Sequence, residues 1–211
     1  MRATLILTLA LLTAPLAARA EIIDRIAAVV DGQVITLTEL NQIVELGLIT
    51  RLEGESDAAY RRRVLDLMIT HLIRYRDVER FGAADVPADS IEAAYQRIIA
   101  RYPSEAAFLE ALARVELTPD QVRTLIKRYQ QVQRSIDERF APLIFVSLEE
   151  IEAHYRNVWA PDRRRQGLPV PDLASVREEI RTALRGDRLK REVEVWTQQL
   201  RSRSNIDVFV Y

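Results

Sequence analysis

The chain of 211 residues contains no cysteine, six glycines and two histidines. Without cysteine it can carry neither a disulfide framework nor a lipid-modified cysteine, so packing alone must hold the fold together. Lysine is also scarce, because Lys127 and Lys190 are the only lysines among 30 basic residues. The sequence has no glycine-rich phosphate loop, no GxSxG elbow and no cysteine nucleophile. These absences leave none of the residue sets that are typical of an enzyme.

The two histidines do not form a metal-binding or catalytic set. His71 lies beside the apolar face of a predicted helix, where a packed histidine is the expected interpretation. His154 neighbours Glu150 and Glu152, but a single histidine without further ligands is not a metal site. Paired acids such as Glu149-Glu150 are explained by solvation and by the positive end of a helix dipole. We therefore predict no catalytic residue, no cofactor and no metal.

The first twenty residues, MRATLILTLALLTAPLAARA, have the three parts of a secretory signal peptide. A basic start at Arg2 precedes an apolar run from Leu5 to Leu16, and Ala18-Arg19-Ala20 supplies a small-x-small cleavage site. Cleavage after Ala20 is expected, although the sequence leaves an uncleaved anchor open. About 190 residues remain, enough for one core or two small lobes. They carry 28 basic and 31 acidic residues, a balance that gives no indication of nucleic-acid binding.

A β-hairpin followed by a helix is predicted directly after the signal peptide. In IDRIAAVVDGQVITLTEL, apolar residues alternate on both sides of Asp31-Gly32, which is typical of a tight hairpin turn. Thr36 and Glu39 have the spacing of a capping box, which predicts a helix from there towards Ile49. Because an isolated hairpin is only marginally stable, its strands need a further strand or a helix to cover them.

Capping signals and apolar spacing predict a series of helices along the rest of the chain. One helix begins near Asp57, and Asp89 and Glu92 are the predicted cap of the next. Three more begin around Phe108, after the Thr118-Pro119-Asp120-Gln121 start signal, and after the Ser147 cap.

The C-terminal third is predicted to contain a linker, a long helix and a strand. APDRRRQGLPVPD, residues 160–172, has three prolines and a glycine, which predicts a loop between the helical core (21–159) and the final segment (173–211). The helix from Leu173 contains Gly186, where a bend or break is expected. NIDVFVY alternates as a strand does. We expect this strand to join the hairpin, which gives a mainly α fold with one small sheet.

These segments together resemble SurA-type periplasmic chaperones. IIDRIAAVVDGQVITLTEL, RRRVLDLMITHLIRYRDVERFG, VPADSIEAAYQRI and LTPDQVRTLIKRYQQVQRSIDERF are similar, in order and spacing, to the N-terminal chaperone region of that family. VREEIRTALRGDRLKREVEVWTQQLRSRSNIDVFVY is similar to its C-terminal helix and closing strand. The resemblance implies a periplasmic location and a mainly α chaperone module over residues 21–211. The chain departs from the family between Ile144 and Asp172, which is too short for a parvulin isomerase domain.

The resemblance implies an ATP-independent holdase whose partners are unfolded envelope or outer-membrane polypeptides. Aromatic residues on the predicted helices could line a peptide cradle, and core packing is the alternative explanation; they are Tyr95, Tyr102, Phe108, Tyr129 and Phe140. Two other functions stay open: a prolyl isomerase-related protein, and a dedicated assembly partner of one envelope protein. The sequence also leaves open whether two copies form a homodimer by exchanging the final helix.

Overall fold

The computed structural model describes residues 24–209. The predicted signal peptide and its cleavage site lie outside these residues. The helices and strands follow the chain in the order β1 (Ile26–Val30), β2 (Gln33–Thr36), α1 (Leu37–Glu45), α2 (Asp57–Phe81), α3 (Ala88–Ile99), α4 (Glu105–Arg114), α5 (Pro119–Phe140), a 3₁₀ turn (Ala141–Leu143), α6 (Leu148–His154), a π-helical turn (Tyr155–Trp159), α7 (Ala160–Arg165), α8 (Leu173–Arg203) and β3 (Ile206–Val208). The mainly α class with one small sheet is confirmed.

The sheet joins the two ends of the described chain. Its strand order is β2-β1-β3 with both pairs antiparallel, and Ala28 of the central strand pairs with Val208 of β3. Asp31 and Gly32 both have positive φ, 48° and 82°, as the predicted hairpin turn requires. The predicted pairing of the C-terminal strand with the hairpin is therefore confirmed. It follows that the end of α8 must lie against the first helices.

Three apolar clusters form the body of the protein. The first covers the sheet with α1 and α2, the second joins the end of α1 to α3, α4 and α5, and the third lies between α2, α5 and α8. The predicted caps at Thr36, Thr118 and Ser147 are all present, and each of them is a capping box. The predicted side-chain cap of α3 was wrong. The residue before this helix is Pro87, which has no side-chain cap, and Asp89 lies within the first turn.

A fourth apolar cluster forms a separate side lobe, which comprises residues 144–184. Here α6 packs on the first half of α8, and the cluster contains Val146, Ile151, Val176 and Ile180. The C-terminal half of α8 instead packs on α2 and α5, so this helix connects the side lobe to the body. Arg188 links the two regions, because its guanidinium binds Glu150 at 2.5 Å and the carbonyl oxygen of Phe145.

The predicted linker over residues 160–172 is half helical, and this part of the prediction was wrong. Residues Ala160–Arg165 continue the rod of α6 and the π-helical turn, and only 166–172 are non-helical. The helix ends at Arg165, two residues before Gly167, which has a φ of 68°, and the amides of Gly167 and Leu168 donate to the carbonyls of Arg164 and Arg163. The sequence RRRQG is thus the last turn of a helix with a glycine terminator.

The expected break at Gly186 is also absent, since α8 runs without interruption from Leu173 to Arg203. A glycine inside a helix costs about 1 kcal/mol relative to alanine, and packing at both ends of α8 outweighs so small a penalty. The first helix ends earlier than predicted, at Glu45 rather than near Ile49. Within residues 24–209, no helix combines the length and the apolar character needed to cross a membrane.

Candidate functional site

An open cleft of about 250 Å³ lies where α2, α5 and α8 meet. Its apolar lining includes Val78 and Ile136, which are buried, and the paired rings of Phe140 and Trp196, whose centroids are 5.5 Å apart. Phe81 stands at the cleft, at the end of α2, and is 72% exposed. A large apolar side chain exposed to this degree beside an apolar cleft is available to a ligand.

Charged side chains border the same cleft. The guanidinium of Arg139 lies 5.3 Å from the ring centroid of Phe140 and 5.6 Å from that of Trp196. It also binds Asp77 at 3.1 Å, while Glu138 lines the cleft beside it. A cation over two aromatic rings adds about 0.5–1 kcal/mol at each exposed contact. The cleft therefore combines an apolar floor with a polar border that can bond to a polypeptide backbone.

The structure places three of the five predicted peptide-binding residues together in the interior. The ring of Phe108 lies 5.6 Å from that of Tyr95 and 5.1 Å from that of Tyr102. Phe108 is 0% and Tyr95 3% exposed, and burial raises the pKa of both tyrosines. Phe108 and Tyr95 therefore offer almost no surface to a partner and pack as core residues, the alternative given above, while Tyr102 is half-buried beside them.

The other two predicted residues lie on α5 and are accessible. Tyr129 is 57% exposed and stacks on His71 of α2, with ring centroids 5.8 Å apart. Phe140 lines the cleft. His71 is itself largely buried, and burial, followed by the charges of Arg74 and Arg128, lowers its pKa to about 4. The imidazole is consequently neutral at pH 7 and packs as an aromatic ring.

Three further residues that shape the cleft were not identified from the sequence: Asp77, Phe81 and Trp196. Asp77 and Phe81 come from α2 and Trp196 from α8, so the tryptophan lies more than a hundred residues further along the chain. Trp196 lies on the apolar face of α8, but apolar periodicity does not reveal which helix such a face meets. The only local signal in the sequence was a phenylalanine, Phe81, directly before the helix terminator Gly82.

The titratable residues of the described chain do not gather into a metal site. Among residues 24–209, no group of three or more histidines and acids is close enough to hold an ion. His154 lies at the end of α6 in the side lobe, whereas His71 lies on α2 in the body of the protein.

Comparisons with known proteins reveal similarity of fold but not of sequence. Neither a protein-family model nor a curated protein matches the chain. A solved structure does match, from work on the virulence factor PEB4 and the periplasmic protein Cj1289, described as two structurally related SurA-like chaperones of Campylobacter jejuni. The match has a TM-score of 0.52 and 14% identity, and it covers 87% of this chain and 99% of the other. The chain therefore has the fold of the SurA-like chaperones.

Proposed function

We propose that this protein is an exported, ATP-independent holdase that binds unfolded segments of envelope or outer-membrane proteins in the periplasm. The observation that carries the proposal is the open cleft between α2, α5 and α8, with Phe81, Phe140 and Trp196 around it, in a fold shared with SurA-like chaperones. The predicted signal peptide supports the export and the periplasmic location.

The cleft suits reversible binding of an apolar side chain from a client. A phenylalanine side chain has about 200 Å² of surface, so an exposure of 72% leaves roughly 140 Å² of Phe81 in water. If a client covers half of that surface, about 70 Å² is buried, which contributes about 1.8 kcal/mol. Ordering a disordered client costs about 2–5 kcal/mol, so several such contacts are needed and each remains weak.

Aggregation of an unfolded outer-membrane protein, followed by light scattering, tests the proposal. The purified protein should suppress aggregation at a near-stoichiometric ratio. Phe81→Ser should weaken client binding by up to about 20-fold, the equivalent of 1.8 kcal/mol. Its free energy of unfolding should change by only about 0.5 kcal/mol, because Phe81 is exposed.

Phe209→Ser is a matched control, since Phe209 is a phenylalanine of similar exposure (61%) that lies at the sheet, away from the cleft. This variant should bind clients like the unaltered protein. Equal loss of binding in both variants would place the site elsewhere, and a lack of any suppression by the unaltered protein would refute the holdase function.

Two further measurements separate the proposal from its alternatives. A protease-coupled assay on a proline peptide would reveal isomerase activity, which a holdase without a parvulin domain should lack. Co-purification from an envelope extract should yield many substoichiometric clients. A single stoichiometric partner would instead indicate a dedicated assembly role.

A further inference from the structure

A ladder of three side chains lies along the helical rod of the side lobe. Tyr155, Trp159 and Arg163 are spaced by four residues, the spacing that places side chains on one face of a helix. The rings of Tyr155 and Trp159 stack with centroids 5.6 Å apart, and the guanidinium of Arg163 lies 4.9 Å from the Trp159 ring centroid. The π-helical turn that contains both rings belongs to a class of distortion frequently found at functional sites.

The segment Leu168–Pro171 lies against this ladder, and we call it the proline strap. Proline fixes φ in Pro169 and Pro171, and each of the preceding residues, Leu168 and Val170, is restricted to extended conformations by the proline that follows it. All four residues are therefore biased towards the polyproline II conformation. Consistent with this, none of them belongs to a helix or strand.

Side chains of the ladder bind the strap through its carbonyl groups. The hydroxyl of Tyr155 donates to the carbonyl oxygen of Pro171 at 2.7 Å. Nε of Arg163 donates to the carbonyl oxygen of Pro169, also at 2.7 Å. Domains that recognise proline-rich peptides use the same combination of aromatic rings and a preformed polyproline II backbone.

We propose that the ladder is a recognition site for extended, proline-containing segments of client polypeptides, and that the chain's own strap occupies it in cis. The inference rests on the proposed holdase function and adds a second client site in the side lobe. The strap itself indicates what the site binds, because it is a proline-x-proline segment. It is held by hydrogen bonds to its backbone carbonyl oxygens, and any chain in the same conformation can accept these bonds.

The strap can be displaced without disrupting either neighbouring helix. Before it, α7 is terminated by the turn at Gly167, and after it, α8 is capped by Asp172, whose carboxylate accepts from the amide of Ser175 at 3.0 Å. Neither end depends on the two bonds to the ladder. Leu168 and Pro169 are exposed, so a client has access to the strap from solvent.

Binding of a labelled peptide, followed by fluorescence anisotropy, tests the proposal. The probe is RQGLPVPDL, the sequence of residues 165–173, with a fluorescein label. In the variant Pro169→Ser/Val170→Gly/Pro171→Ser the strap no longer competes, while Gly167 and Asp172 are retained. A short tethered ligand acts at an effective concentration of about 1 mM, so a peptide with an intrinsic Kd of about 100 µM should bind this variant about tenfold more tightly than the unaltered protein.

Two matched controls examine the chemistry of recognition. Adding Tyr155→Phe to the strap variant keeps the ring but removes the hydroxyl donor, and should weaken probe binding about threefold or more. The peptide RQGLAVADL, in which alanine replaces both prolines, should also bind more weakly. The proposal is overturned if a folded strap variant does not bind the probe, or if neither control changes the affinity.

A measurement on the unaltered protein remains decisive if the strap variant does not fold. Trp159 and Trp196 are its only tryptophans, so its indole NH spectrum contains two signals that Trp196→Phe assigns. Millimolar RQGLPVPDL should shift the Trp159 signal and leave that of Trp196 in place, and an unmoved Trp159 signal contradicts the proposal. Aggregation suppression in the same preparation tests the holdase function separately, so failure of one does not imply failure of the other.

Discussion

Asp31 joins three separate parts of the chain, and its substitution tests whether the C-terminal strand is essential to the fold. It occupies the hairpin turn with a φ of 48°. Its carboxylate accepts from the backbone amide of Asn205, at 2.7 Å, and binds Arg76 of α2 at 2.9 Å. The turn backbone is tied to the same place, since the amide of Asp31 donates to the carbonyl of Asn205 at 2.9 Å.

The expected cost of Asp31→Ala follows from three lost contributions. A hydrogen bond to a charged acceptor contributes about 1.5 kcal/mol. The ion pair with Arg76 is one-third exposed on both sides, so it contributes only about 0.5 kcal/mol. Alanine with positive φ costs about 1 kcal/mol. Asp31→Ala should therefore destabilise the protein by about 3 kcal/mol, which lowers Tm by about 6–12 °C in a chain of this size.

Two companion variants separate these contributions. Asp31→Asn tolerates positive φ and can still accept from the Asn205 amide, so it should lose only about 0.5–1 kcal/mol. Asp31→Gly removes the strain of a positive φ but also removes both side-chain contacts, so its free energy of unfolding should fall by about 2 kcal/mol. Urea and thermal unfolding followed by circular dichroism measure all three. If Asp31→Ala and Asp31→Asn agree to within about 0.5 kcal/mol, the bond to the C-terminal strand contributes nothing and the reasoning is refuted.

Two further predictions concern α2 and α8. Burial lowers the pKa of His71 from 6.5 to about 4. As the pH falls, the unfolded chain therefore protonates His71 before the folded protein does. The stabilisation is fully present above pH 6.5 and is lost as the pH falls towards 4. Between pH 7 and 4.5 the loss should be about 2 kcal/mol, and urea unfolding should show it in the unaltered protein but not in His71→Phe; equal pH dependence in both would contradict it. Gly186→Ala should raise the free energy of unfolding by about 0.5–1 kcal/mol, because an added Cβ meets no atom within 4 Å and the residue lies inside a helix, and a lower Tm would show that α8 requires a glycine there.

Short-range signals in the sequence were sufficient for most of the secondary structure. The Asp31-Gly32 turn, the capping boxes and the apolar spacing of α2, α5 and α8 all depend on residues within one or two turns of each other. The errors at α1 and α7 have a shared cause, because glycine terminators at Gly47 and Gly167 were not recognised. In the second case three prolines in thirteen residues favoured a loop, although Pro161 lies just after the π-helical turn, where regular α-helical hydrogen bonding is already interrupted.

The pattern at both ends of the chain also determined one long-range contact. Two strands after the signal peptide and one at the C-terminus had no other strands with which to pair, so closure of the sheet followed from the need to satisfy backbone hydrogen bonds. That constraint does not extend to side chains. An amphipathic helix shows which face is buried but not which helix covers it.

The sequence by itself therefore determined the helices, the small sheet and the meeting of the two ends, because capping, turn chemistry and backbone pairing act locally or admit few partners. Only the tertiary structure decided that Tyr95 and Phe108 are buried, that Phe81, Phe140 and Trp196 surround one cleft, and that the proline strap lies on Tyr155 and Arg163. These arrangements depend on how whole helices pack, and packing is set by the shapes of surfaces that lie far apart in the chain.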